Sequence, residues 1–240
     1  MANLKISGEI VDNDTGEFYD YFGIGNYCSP KKVEQALKDN QENGDIVVDI
    51  ASNGGDVFAG SEIYSMLKAT KQNVVVNIVG LAASAASVIA MAGNQVNIAP
   101  TAQIMIHQAW SALEGNSDDM EHESQVLNSI DESIVNAYVL KTGQDRNKLL
   151  QMMQNETWLN AQQAVDNGFA DEIMFVDNKQ PQFNNSIGTT VITHEAINKF
   201  KNMKLKLASL TETPKKEQKQ LAKNILKDKL EILRGVNWWI

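Results

Sequence analysis

The chain has 240 residues, 43% of them hydrophobic, a formal net charge of −9 at pH 7 and a single cysteine. That length can bury a substantial core, and the lone Cys28 excludes both an intrachain disulfide framework and a cysteine-based zinc site. Residues 1–10 carry no recognisable secretory signal and no apolar run is long enough to span a membrane, so a cytoplasmic location is expected. Residues 1–178 hold 25 acidic side chains against 9 basic ones, whereas residues 179–240 hold 5 against 12. An acidic body with a basic tail points to two units with different partners.

Residues 4–11 alternate well enough to predict a first strand. Residues 12–27 are polar, aromatic and glycine-containing and read as a loop or hairpin. Ser29 and Pro30 predict a helix start, with Ser29 as N-cap and Val33, Ala36 and Leu37 on the apolar face. Asn43-Gly44 signals a turn, and residues 45–51 (DIVVDIA) a strand. The glycine pair in Ser-Asn-Gly-Gly-Asp, residues 52–56, suits a turn whose N–H groups face a ligand, although an ordinary connection has the same pattern. A helix is predicted over residues 57–68 and a buried strand over 73–79 (NVVVNIV).

Residues 80–93, GLAASAASVIAMAG, are the stretch around which the chain is organised. They predict a strand, a tight turn and a helix of small side chains. A serine at such a helix start lies among unpaired N–H groups and at the positive end of the helix dipole. Those are the conditions for a nucleophilic hydroxyl and an oxyanion hole. A buried Ala/Ser-rich helix without chemistry would carry the same pattern.

Short strands are predicted over residues 95–99 and 102–107, the second ending in Met-Ile-His-Gln. His107 therefore falls where a strand runs out, a position that suits a structural histidine as well as a catalytic one. Residues 118–142 predict a long helix whose acidic start contains His122 on a solvated face. A further helix covers 145–154. Asn160 is placed to cap a short helix that Gly168 closes, and residues 171–176 predict a last strand. Glu156 precedes Trp158, which would wall one side of its carboxylate. From residue 178 the composition changes. A polar linker containing Pro181 leads to a basic helix over 215–233 with Leu226, Leu230 and Leu233 on one face, then Trp238 and Trp239. The alternation of strands and helices between residues 45 and 176 predicts an α/β domain.

Four motifs in order, SNGGD at 52–56, GLAAS at 80–84, MIHQ at 105–108 and ETWLNAQQAVDNGFAD at 156–171, resemble the Clp protease proteolytic subunit, most closely its phage and prophage relatives, the head maturation proteases. The resemblance covers residues 4–176 and excludes the tail. It implies an α/β fold of the ClpP/crotonase type built from β-β-α units. It implies Ser84 as nucleophile, His107 as general base, and Glu156 as the third member, where the housekeeping enzyme has aspartate. The N–H groups of Gly55 and Ala85 would form the oxyanion hole. Asn53 stands where the family has proline.

The expected organisation is a protease domain over residues 1–177 and a basic linker with a helical tail over 178–240. The expected activity is serine endopeptidase cleavage of capsid or scaffold proteins inside a homo-oligomeric ring, with no metal, organic cofactor, nucleic acid or membrane. The family's N-terminal docking segment has little counterpart ahead of residue 4, so no ATPase partner is expected. Three alternatives stand beside this: an ATPase-driven degradative peptidase, a crotonase-type acyl-CoA enzyme that leaves Ser84 and His107 idle, and a silent ring-forming assembly protein.

Overall fold

The computed structural model describes residues 2–39 and 44–176. The linker, the basic tail helix with its leucine stripe, and Asn43 of the expected turn lie outside the described residues.

β1 (Ala2–Ile10) opens the chain as the alternation predicts. Residues 12–27 are not a simple loop or hairpin, because they contain α1 (Asn13–Phe22). Its boundaries are set locally: the Asp12 carboxylate accepts the Thr15 N–H at 2.8 Å, and Gly23 ends the helix in the left-handed conformation. The Thr15 N–H, and after it the Thr15 hydroxyl, hold the Asp12 carboxyl below its ordinary range. β2 (Tyr27–Cys28) and α2 (Pro30–Asp39) follow. In the first turn of α2 the Lys31 N–H is capped by Asn13 Oδ1 at 2.8 Å, a side chain remote in sequence. Burial pushes the Cys28 thiol up to about 11.

β3 (Ile46–Gly55) runs beyond the predicted end and absorbs the SNGG motif into the strand. Asp56 then caps α3 (Val57–Ala69), its carboxylate 2.6 Å from the Ala59 nitrogen. β4 (Val74–Ala83) also outruns its predicted end and leaves six residues for α4 (Ala85–Ala90). β5 (Gln95–Ile98), β6 (Gln103–Ile106), α5 (Ser117–Thr142) and α6 (Arg146–Gln154) fall where the pattern puts them. β7 (Thr157–Asn160), which the pattern does not announce, precedes α7 (Ala161–Asp166), capped by Asn160 as expected, and β8 (Glu172–Ile173).

The main sheet has the order β2-β1-β3-β4-β5-β8 and is parallel throughout. Its register places Ile6, Ile50, Ile78 and Ile98 side by side across four strands, and Leu4, Val48, Val76 and Val96 form a second row. All eight are buried. Period-2 geometry puts the intervening residues on the opposite face. There Asn77 Nδ2 donates to Asp49 Oδ1 and Asn97 Nδ2 to Asn77 Oδ1, each at 3.0 Å. A parallel sheet usually buries both faces; on its second face this one links the Asp49 carboxylate and the Asn77 and Asn97 amides in a row across three strands.

Gly55 pairs with Ile10 at the end of β3 with a φ of 147°. A Cβ there would lie 2.1 Å from the Ile10 carbonyl oxygen. Gly55→Ala is therefore expected to destabilise the protein by about 3 kcal/mol or more in urea denaturation. At Gly80 a Cβ would meet only Ala51 Cβ, at 3.6 Å. Gly80→Ala should stay within about 1 kcal/mol of the parent.

Candidate active site

β4 has two different partners on one side. Its first half, Val75–Ile78, pairs with β5, and its last three residues, Leu81–Ala83, pair with Gln103–Met105 of β6. The change of partner carries the end of β4 away from β5 and against β6. Ser84 comes next. Its backbone N–H donates to the Met105 carbonyl at 2.9 Å, so the two chains remain in register at the point where β4 stops. His107 is two residues further along the neighbouring chain. Its Nε2 lies 2.7 Å from Ser84 Oγ. For the hydroxyl to donate to Nε2, the imidazole proton must sit on Nδ1.

Ser84 has φ 55° and ψ −126°, a conformation that side chains other than glycine rarely adopt. Only two other non-glycine residues among those described have positive φ, Glu156 and Phe175. Backbone strain of this kind, about 1–3 kcal/mol per residue, persists where the surroundings over-determine it. At Ser84 they do: β6 fixes its N–H, and its carbonyl accepts from the Ser87 N–H and, at 2.6 Å, from the Ser87 hydroxyl. Ser87 has one hydroxyl proton, and Ser84 takes it. The buried Tyr138 hydroxyl, 2.8 Å from Ser87 Oγ, is therefore the donor in that contact. Burial pushes the Tyr138 hydroxyl well above its ordinary range, so it remains a donor.

Ala85 is the first residue of α4, and its N–H has no partner inside the helix. Gly55 lines the same cleft as Ser84 and Ala85. Between Gly55 and the serine lies Gly54, where a Cβ would come within 2.7 Å of both Ser84 Cβ and the Ala83 oxygen. Gly54 thus lets the end of β3 press against the serine turn, while Gly55 lets it press against Ile10 of β1. The expected oxyanion donors and the serine share one wall of a cleft of about 680 Å³.

Glu156 follows α6 in the left-handed region, φ 45°. β7 pairs antiparallel with β6 up to Ile106 opposite Thr157. One step further, the same register sets Glu156 across from His107. Its carboxylate, however, accepts from Trp158 Nε1 at 3.2 Å, and no hydrogen bond joins it to His107. The structure brings Ser84 and His107 into contact, and Glu156 to the adjoining position with its carboxylate turned to the indole. His122 is exposed on α5, and His194 lies outside the described residues.

Glu9, Asp12, Asp56 and Glu123 line the cleft and no Lys or Arg does. None of these four carboxylates is ion-paired among the described residues. A cleft of that charge favours a cationic or neutral peptide over an acidic one. Among the described residues no group of three or more His, Cys, Asp or Glu side chains is arranged to hold a metal ion. No described helix is long and apolar enough to cross a membrane. Ser87, Tyr138 and the buried Asp131 carry no motif that would have singled them out in the sequence.

The family model for Clp protease matches residues 32–177. An ATP-dependent Clp protease proteolytic subunit of Deinococcus radiodurans is 30% identical over 146 residues, 59% of this chain and 72% of that protein. One of Dehalococcoides mccartyi is 34% identical over 132 residues, 54% of this chain and 66% of that protein. The chain thus spans about two thirds of the length of these relatives.

The Tyr138–Ser87–Ser84 chain has a measurable consequence. Ser87→Ala leaves the buried Tyr138 hydroxyl without its acceptor and should cost about 1–3 kcal/mol in urea denaturation. Adding Tyr138→Phe removes the orphaned group and should recover most of that loss.

Proposed function

Since the chain belongs to the Clp protease family, we propose that it is a serine endopeptidase with Ser84 as nucleophile, His107 as general base and Glu156 as the third member. The observation that carries this reading is the 2.7 Å contact between Ser84 Oγ and His107 Nε2 at a strained strand-to-helix turn. As Oγ attacks the scissile carbonyl, His107 Nε2 takes its proton. The N–H groups of Gly55 and Ala85 receive the oxyanion. His107 then protonates the leaving amine, and a water, deprotonated by the same imidazole, releases the acyl group. Glu156, swung from Trp158 to His107 Nδ1, would hold the productive tautomer and stabilise the imidazolium. No step calls for a metal or organic cofactor.

The finer reading is a head maturation protease that cuts capsid or scaffold proteins within a homo-oligomeric ring. The resemblance of its four motifs to phage relatives supports it. The relatives' names favour a second reading, an ATP-dependent degradative peptidase. Cleavage of a scaffold protein without nucleotide supports the first, and a requirement for an added Clp ATPase supports the second. In both, residues 1–177 form the protease unit and residues 178–240 a recruitment tail, supported by the reversal of charge near residue 178.

A fluorophosphonate probe should label Ser84, and Ser84→Ala should abolish labelling and peptidase activity. Labelling that persists at another serine would sink the assignment. His107→Ala should slow labelling about 10²–10⁴-fold. Glu156→Gln should cost more activity than Glu156→Asp, and the reverse order would remove Glu156 from the triad.

Truncation after Val176 tests the tail. The shortened chain should keep its melting temperature and its activity on short peptides, and lose salt-sensitive association with its protein substrate. A truncated chain that unfolds would show that the tail belongs to the core.

A further inference from the structure

β6 stops at Ile106, and from residue 107 to 116 the chain has neither helix nor strand. His107 is therefore the first residue beyond the ladder. On its N-terminal side the chain is fixed by the Met105 carbonyl, which accepts from the Ser84 N–H. The next fixed point is Asp131 on α5. Its Oδ1 accepts the Ala109 N–H at 2.8 Å, and its Oδ2 accepts Gln108 Nε2 at 2.9 Å. Each carboxylate oxygen thus holds one of the two residues that follow His107.

Asp131 is 4% exposed and has no cationic partner among the described residues. A buried carboxylate without a counter-ion is costly unless hydrogen bonds satisfy it. Here both bonds go to one dipeptide beside the imidazole. Tyr138 stands seven residues further along α5, two turns on and therefore on the same face. Through Ser87 it holds the carbonyl of Ser84. One face of α5 thus steadies the chain behind the serine through Tyr138 and the chain after the histidine through Asp131.

We propose that Asp131 is a positioning residue: by gripping Gln108 and Ala109 it fixes the chain beyond His107 and so sets the reach of the imidazole to Ser84. This rests on the reading of Ser84 and His107 as nucleophile and base. Asp131 does not touch the reacting atoms and acts only through His107.

The test is the second-order rate of labelling by a fluorophosphonate on the full chain. Asp131→Asn keeps the volume but turns one acceptor into a donor, so one of the two N–H groups loses its partner. The labelling rate should fall about tenfold or more. Asp131→Asn combined with Gln108→Glu exchanges donor and acceptor across the same contact and should recover the rate to within about threefold of the parent. In a His107→Ala background, where there is no imidazole left to position, Asp131→Asn should change the residual rate by less than about twofold. A general loss of structure would lower the rate in both backgrounds. If Asp131→Asn does not fold, Gln108→Leu, which removes one of the two donors, is put through the same comparison. Parent-like labelling of Asp131→Asn, or an equal loss with and without His107, overturns the proposal. Labelling of Ser84→Ala would instead overturn the reading on which it rests.

Discussion

Three residues of parallel pairing, Leu81–Ala83 of β4 against Gln103–Met105 of β6, determine whether this protein has a site at all. Ser84 and His107 are each the first residues past the ends of their strands. Without that short ladder they would be two side chains on separate loops. With it, the Ser84 N–H bonds to Met105, and His107 reaches Oγ from the adjoining chain. The ladder is possible because β4 exchanges β5 for β6 part-way along its length, with Val79 and Gly80 between the two paired segments. The buried isoleucine row anchors the first half of β4 in the main sheet, and the second half is held between Ser52 of β3 and β6, with Ala82 and Ala83 buried.

Strain and burial at the site are balanced by specific hydrogen bonds. Ser84 is held at positive φ by β6 on one side and by the Ser87–Tyr138 chain on the other. At the end of β3, Gly54 can approach the Ser84 turn and Gly55 can approach Ile10 of β1 because neither residue has a Cβ. α5 contributes no reacting group, yet its buried polar residues reach both chains that carry the dyad. The hydrogen bonds concentrate around these few residues and bind the backbone next to both Ser84 and His107.

Glu156 shows how a backbone register and a side-chain rotamer can make separate statements. The antiparallel pairing of β6 and β7 brings it across from His107, and its backbone there is left-handed. The carboxylate is nevertheless bonded to the Trp158 indole. The backbone register is thus set by β6, whereas the side chain is set by the neighbouring indole.

Much of this was legible in the sequence because it depends on near neighbours. Period-2 runs of Val and Ile mark the strands. Asp145 and Asn160 cap their helices with donors three residues away. The motifs around Ser84, His107 and Gly55 announce themselves by residue type and order. What the sequence did not determine is set by partners far along the chain. β3 and β4 run beyond their apparent ends because β1 and β6 offer them pairing there. α1 is the exception: its caps, Asp12 and Gly23, are local, but its polar, glycine-containing composition resembles a loop. Asp131 and Tyr138 look like ordinary members of a long helix, and only the tertiary structure brings them to residues 108–109 and 87. Local hydrogen bonds and hydrophobic periodicity can be read from one stretch of chain. A buried carboxylate acquires its role from donors that only the folded structure brings to it.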